Sequence, residues 1–415
     1  MGRRTAHQVG IVVALAVAVG LFLAVAAVRR GFFDLNVYYG ALNYWVHDGG
    51  QLYDYVRPRT EYGFTYPPFA ALTMLPMALV PWNLAVVVAA VLTVVSAGLV
   101  LFWLVSPVAR RAGWPVWFAV AVAACLVAAF EPMRETFSFG QVNAVLLALV
   151  LGDTLLLARR SRWAGVLIGL ATAIKLTPGI FIGYLLVLGF QDRRRWRAAG
   201  VAGATAAGAT LLAAAVDPDA SRIFWTEALW NTARVGDLSY ISNQSLQGML
   251  ARLDPTDPSR LLWLAAVLVV LAVWAWRVRR ADLLTGIALT GVAGVLFSPV
   301  TWVHHLTWLI PAFVLLVDAA VRAPRGSVRR RVLFGLAIVG YAVLCSRLVW
   351  AFRVDFGGVD GFLFSNAYLW IALALLVGLP LRSPAERHGV PDLGEFDGGG
   401  AGGVEAERVA DAVWR

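Results

Sequence analysis

Apolar runs follow one another along most of this chain, and no other feature limits its fold so severely. Long candidate spans stand at Val9–Val28, Asn83–Val105, Trp114–Phe130, Val142–Ala158, Ala198–Val216, Leu261–Trp276, Asp282–Ser298, His304–Val321, Val332–Trp350 and Phe362–Leu381. A shorter pair occupies Trp163–Ile174 and Gly179–Phe190. A helix that crosses the hydrocarbon core needs about 20 apolar residues, and fewer inside a bundle. Backbone groups in lipid must be satisfied internally, which leaves helices or closed barrels, and runs of this length are helical. The expectation is an all-α polytopic membrane protein with about 12 transmembrane helices. Composition agrees: 60% of residues are hydrophobic and 14% charged, where a soluble domain carries about 25% charged residues. The first run has the small residues of a secretory signal, but the number of spans behind it favours an uncleaved anchor.

The arginines orient the chain. Cytoplasmic loops hold the excess of Lys and Arg. If Pro67–Pro81 is interfacial or re-entrant and the short pair is a hairpin, then Arg110/Arg111, Arg159/Arg160/Arg162, Arg193–Arg195 with Arg197, Arg277/Arg279/Arg280 and Arg325/Arg329–Arg331 all join Arg3/Arg4 on one side. Counting Pro67–Pro81 as a span and fusing the pair would move five of these arginines outside. The predicted layout is one transmembrane domain over 1–381 with both termini cytoplasmic, and a Gly-rich, disordered tail over 382–415. Its external loops are 29–82, 131–141, 217–260, 298–304 and 347–361. The net charge of +10 is thereby spent on loop anchors and not on a nucleic-acid-binding face. Cys125 and Cys345 each sit inside an apolar run, which argues against a disulfide framework or a metal cluster.

Chemistry collects on the opposite side. Asp34 is the first carboxylate of the chain and lies just past the first span, in FFDLNVYY. It can cap a helix that begins at Leu35, and it can act as a general base beside a cavity at lipid level; a cap would also aim the carboxylate. Lys175 is the single lysine among 35 basic residues. Each run flanking it reaches only about 18 Å at 1.5 Å per residue, so the turn should be recessed, and an ionisable group there is a functional candidate. Phosphate binding is the expected role, against a lysine that snorkels to the headgroups.

Arg134, in the EPMRE turn, could contact an anionic headgroup or a leaving phosphate, with Glu135 expected to close the loop through a local ion pair. His304 and His305 lack the spacing of a zinc-protease helix; they stand either as interfacial anchors beside Trp302 and Trp308 or as proton donors and phosphate contacts. The amides and hydroxyls of Ser239–Gly248 suit sugar hydroxyls, and the tyrosines of the first loop suit sugar stacking or an interfacial belt. No Walker A loop, dinucleotide fingerprint, nucleophile elbow or HExxH motif is present.

The succession of Asp34-Leu35-Asn36-Val37-Tyr38-Tyr39 with Ala41, Tyr66-Pro67-Pro68-Phe69, Gly140-Gln141-Val142-Asn143, Lys175-Leu176-Thr177-Pro178, Ser242-Asn243-Gln244-Ser245 and Ser298-Pro299 with His304/His305 resembles the GT-C glycosyltransferases. More narrowly it resembles the polyprenol-phosphate-mannose-dependent α-(1→2)-mannosyltransferases of family GT87. The likeness covers roughly residues 30 to 310. It implies a GT-C-like fold with interfacial helices in the first external loop, sited in a bacterial plasma membrane with an extracytoplasmic active site. It also implies a polyprenyl-phosphate-mannose donor, a glycolipid or lipoglycan acceptor, and no metal or other cofactor. Asp34 would be the base, with Lys175, Arg134, His304 and His305 as donor-phosphate ligands. Tyr38, Tyr39, Tyr66, Asn143, Asn243 and Gln244 would bind acceptor or sugar. The rival readings are a lipid-linked sugar flippase or transporter, a non-catalytic membrane subunit, and an enzyme for another polyprenyl-phosphate sugar.

Overall fold

A computed structural model describes residues 2–26 and 28–381; the predicted tail lies outside the described residues. In chain order the helices are α1 (Arg3–Ala26), α2 (Phe33–Val46), α3 (Pro68–Met74), α4 (Trp82–Ala112), α5 (Val116–Ala129), α6 (Glu131–Phe139), α7 (Asn143–Ala158), α8 (Val166–Ile174) and α9 (Ile180–Gly189). There follow α10 (Arg193–Val216), α11 (Pro218–Ile223), α12 (Leu246–Leu253), α13 (Arg260–Val278), α14 (Leu283–Phe297), α15 (Ile310–Arg322), α16 (Val328–Ser346), α17 (Gly358–Ser365) and α18 (Ala367–Gly378). Among the described residues there is no strand, only an isolated bridge between Val56 and Gly63.

This is a multi-pass membrane protein. Every predicted span contains a helix. By length and composition five described helical stretches can cross a membrane, or up to seven if each of two bent pairs is one span. One bent pair, α5 with α6, breaks by 71°. Phe130 turns extended there and Pro132 stands in the first turn of α6, where a ring that cannot continue a helix can begin one. The segment expected as a loop at Glu131–Gln141 is therefore mostly helix.

Two cores organise the molecule. The larger is built by α7, α8, α9, α14, α15 and α18, around residues such as Leu146, Ile168, Leu185 and Leu289. The smaller belongs to the first external loop: Tyr38, Tyr53, Phe64 and Tyr66 pack with Ala70, Ala71 and Phe224. Val142 and Ile174 touch both, so the layer of interfacial helices sits directly on the bundle. The join is tight at Gly140, whose φ of +72° ends α6 and whose Cβ position would lie 2.6 Å from Leu35 Cβ. A side chain there would be strained in backbone and would push α2 away.

Charged groups inside the bundle are locked. Asp318 is fully buried and pairs with Arg111 at 2.5 Å and with Arg322 at 3.2 Å. Asp153, also fully buried, accepts hydrogen bonds from the backbone N–H groups of Gly165 (2.7 Å) and Ile168 (2.8 Å). Gly165 has no side chain to cap α8, so α7 supplies the cap from outside. Asp153→Ala leaves two buried donors unsatisfied at about 1–3 kcal/mol each, and should lower the thermal midpoint of the detergent-solubilised protein. Asp153→Asn should fall between the two, and an unchanged midpoint for Asp153→Ala would contradict the trans-cap.

Candidate active site

Segments predicted to share one side of the membrane meet at a cavity of about 480 Å³. Its wall takes residues from the first external loop, the end of α6, the α8–α9 turn, the stretch after α11 and the stretch before α15. None of the arginines used to orient the chain lines it.

Asp34 reaches the wall from the first turn of α2. The helix begins at Phe33 with Phe32 as its N-cap, and no side chain caps it, so the capping role expected for Asp34 is not what the structure shows. Gly31 and Phe32 both adopt left-handed backbone (φ 61° and 55°). Phe32 is held there by its N–H on the carbonyl of Ser138 at 2.9 Å. The carboxylate is thereby delivered to Gln141, whose Nε2 donates to Asp34 Oδ2 at 2.6 Å. Burial pushes the Asp34 carboxyl up to about 6, opposed by the Gln141 hydrogen bond and by the charges of Lys175, Arg57 and Arg30.

Gln141 is the hub. Its Nε2 also donates to the Tyr38 hydroxyl at 3.0 Å, and its Oε1 accepts from Tyr66 at 2.6 Å. Tyr66 in turn accepts from Tyr38 at 3.0 Å and from Lys175 Nζ at 3.1 Å. Lys175 completes its shell with Asn143 Oδ1 at 3.2 Å and His305 Nε2 at 3.0 Å. A directional chain thus runs from the ammonium through a phenol and an amide to the carboxylate. Lys175 and Asp34 have no direct salt bridge; all the close partners of the lysine are neutral.

Both histidines line the cavity, but in different states: His305 holds Lys175, while the buried Nε2 of His304 has no hydrogen-bond partner among the described residues. The His304 ring packs against Phe139 with centroids 5.3 Å apart, and its free nitrogen is available to a bound molecule.

Other expected residues do not reach the cavity. Arg134 donates to the carbonyl of Cys345 at 3.1 Å and lies over Phe22, between α1 and α16. Glu135 forms no local pair with it, bonding instead to Arg30 at 2.8 Å and to Arg347 at 3.4 Å. Tyr39 donates to the carbonyl of Val80 and packs on Trp82. Asn243 bridges the carbonyls of Leu238 and Pro299 and the N–H of Thr301. Gln244 bonds to the backbone of Ile241, Ser365 and Leu369. These two amides shape the loops around the site and do not face it. Asn143 stands behind Lys175, its Nδ2 on the carbonyl of His304 at 3.1 Å. The structure adds Gln141, Arg30, Tyr62, Arg234, Tyr240 and Trp302 to the wall. Gln141 carried a signal inside the GQVN run, Tyr62 as a first-loop tyrosine, Tyr240 inside Ser239–Gly248 and Trp302 only as a neighbour of the histidines, whereas Arg30 and Arg234 carried none.

The family model described as Glycosyltransferase family 87 matches residues 64–299. A polyprenol-phosphate-mannose-dependent alpha-(1-2)-phosphatidylinositol mannoside mannosyltransferase of Mycolicibacterium smegmatis is 35% identical over 385 residues, covering 86% of this chain and 85% of that protein. A protein of the same description from Mycobacterium tuberculosis is 36% identical over 304 residues, 68% of this chain and 69% of its own. A phosphatidylinositol pentamannoside mannosyltransferase of M. smegmatis is 34% identical over 315 residues, 71% of this chain and 72% of its own. No solved structure matches significantly.

The hub makes a prediction that stands apart from any relative. Gln141→Leu removes a donor from the Asp34 carboxylate, so its pKa should rise above about 6 by roughly one unit. The pH dependence of carbodiimide labelling at Asp34, read by mass spectrometry, checks this; an unmoved or lowered midpoint would contradict it.

Proposed function

Because the chain belongs to glycosyltransferase family 87, we propose that it moves mannose from polyprenyl-phosphate-mannose to a phosphatidylinositol mannoside, forming an α-(1→2) linkage on the extracytoplasmic face of a bacterial plasma membrane. The observation that carries the reading is the chain from Asp34 through Gln141 and Tyr66 to Lys175, opening on one cavity. It places a carboxylate and a cation on the same wall without letting them neutralise each other.

The chemistry is a single displacement. An acceptor hydroxyl attacks the anomeric carbon of a β-linked mannosyl phosphate, its proton passes to Asp34, and the bond from that carbon to the phosphate oxygen breaks. The product is α, and one base suffices; a second carboxylate of the glycosidase kind is not needed. The phosphate leaves as a monoester carrying one more negative charge than the diester. Lys175 is placed to stabilise that developing charge, by exchanging one of its neutral acceptors for a phosphate oxygen. His304, with its free Nε2, is the second donor-phosphate ligand, and His305 keeps Lys175 in place. Arg134 has no part in this set, being outside the cavity. Tyr38 and Tyr66 act through the network more than as sugar platforms.

A transporter would use ionisable groups within its spans. The carboxylates found there, Asp153 and Asp318, are bound to backbone and to arginines, which favours the enzyme.

Asp34→Asn keeps an acceptor for Gln141 but removes the base, and should cut transfer from polyprenyl-phosphate-mannose by about 10²–10⁴-fold in membranes with normal expression. Near-normal transfer would sink the assignment. In the wild type kcat/KM should fall about tenfold per pH unit below about 6, since the carboxyl raised to about 6 is neutral there; a flat profile down to pH 5 would contradict it. Lys175→Met should raise the donor KM by about 10–100-fold, and an unchanged donor KM would remove Lys175 from the phosphate site.

A further inference from the structure

A third cation on the cavity wall has no place in this reaction. Lys175 belongs to the Asp34 chain, and Arg30 is neutralised by Glu135 at 2.8 Å. Arg234 also lines the cavity, yet no carboxylate among the described residues lies within 4.0 Å of it. Among the described residues its guanidinium donates to the backbone carbonyl of Tyr53 alone, from Nη2, which leaves most of the guanidinium N–H groups for a ligand.

The surroundings of Arg234 are those of a sugar path. Two residues on, Gly236 turns with φ +115°, and its Cβ position would lie 3.4 Å from the Tyr62 hydroxyl and 3.5 Å from the Trp302 ring. Trp302 in turn meets Tyr240 edge-on at 6.0 Å. Tyr62, Trp302 and Tyr240 all line the cavity, so the turn that carries Arg234 is laid against an aromatic wall. Apolar ring faces beside a bidentate cation suit a ligand made of sugars and a phosphodiester. Polyprenyl-phosphate-mannose has one such group, already assigned to Lys175 and His304.

We propose that Arg234 binds the phosphodiester of the acceptor glycolipid while Tyr62, Trp302 and Tyr240 carry its sugars, making Arg234 a residue that selects anionic acceptors over neutral ones. The inference rests on the mannosyl-transfer reading and adds the residues that hold the acceptor and its charge.

The test uses the full-length protein in liposomes, with polyprenyl-phosphate-mannose as donor and two acceptors: a phosphatidylinositol mannoside, and a neutral alkyl α-mannoside ending in the same sugar. Arg234→Gln should raise KM for the anionic acceptor about 10-fold, the factor for one charge-assisted hydrogen bond. KM for the neutral acceptor and for the donor should not move. Arg234→Lys keeps the charge and should retain most of the preference, which separates lost binding from lost folding. Equal losses on both acceptors in both variants would overturn the proposal in favour of a structural role at the Tyr53 carbonyl. A raised donor KM would overturn it by making Arg234 a donor ligand. Wild-type protein inert toward both acceptors would overturn the mannosyl-transfer reading itself.

Discussion

The site depends on one amide. Gln141 stands between Tyr66 and Asp34, accepting from one at 2.6 Å and donating to the other at 2.6 Å. Its effect is to connect a cation to a carboxylate while keeping them out of contact. A direct Lys175–Asp34 pair would favour the ionised carboxylate and depress its pKa, making it a weak base. Held at one remove, Asp34 keeps a carboxyl raised to about 6 by burial, close enough to neutral pH to be ionised and still basic. The same spacing leaves Lys175 among neutral partners, with Tyr66 and Asn143 as its acceptors, ready to meet phosphate. Loss of the amide would affect both ends.

Contacts from distant parts of the chain hold that amide in place. Gln141 follows the left-handed Gly140 at the end of α6, and α6 is swung through 71° from α5. It is tied to the first loop by Phe32 and Arg30, whose N–H groups bond to the Ser138 backbone and hydroxyl. On its other side Glu131 receives hydrogen bonds from Trp350 and Tyr368. Helix α6 is thus fixed by residues more than 200 positions away in the chain, and what it fixes in turn is the position of Gln141 over Asp34.

What could be read from the sequence follows the range of the physics involved. Apolar runs are local, and each contains a helix; arginine excess is a sum over loops, and of the segments it grouped together 29–82, 131–141, 217–260 and 298–304 contribute to the cavity while 347–361 does not. Asp34, Tyr38, Tyr66, Lys175, His304 and His305 stood out because ionisable or polar groups are rare near spans, and the structure gathers them. Amide-rich composition misled at Asn243 and Gln244, since a buried loop needs side chains to satisfy its own backbone and an amide used that way looks the same in sequence as one facing a sugar. Arg134 misled for a similar reason: its neighbours in the chain pointed to a phosphate, while its neighbours in space are Phe22 and Cys345. Arg30, Arg234 and Trp302 carried no signal as site residues, because only the tertiary fold brings 30, 234 and 302 to one wall.

The most direct measurement is a structure of the protein with polyprenyl-phosphate-mannose bound. The account predicts a phosphate oxygen within hydrogen-bond distance of Lys175 Nζ and His304 Nε2, with the face of the anomeric carbon opposite the phosphate turned toward the space in front of Asp34. A phosphate seated on Arg134 or elsewhere outside this cavity, or an anomeric carbon with no approach from the Asp34 side, would contradict it.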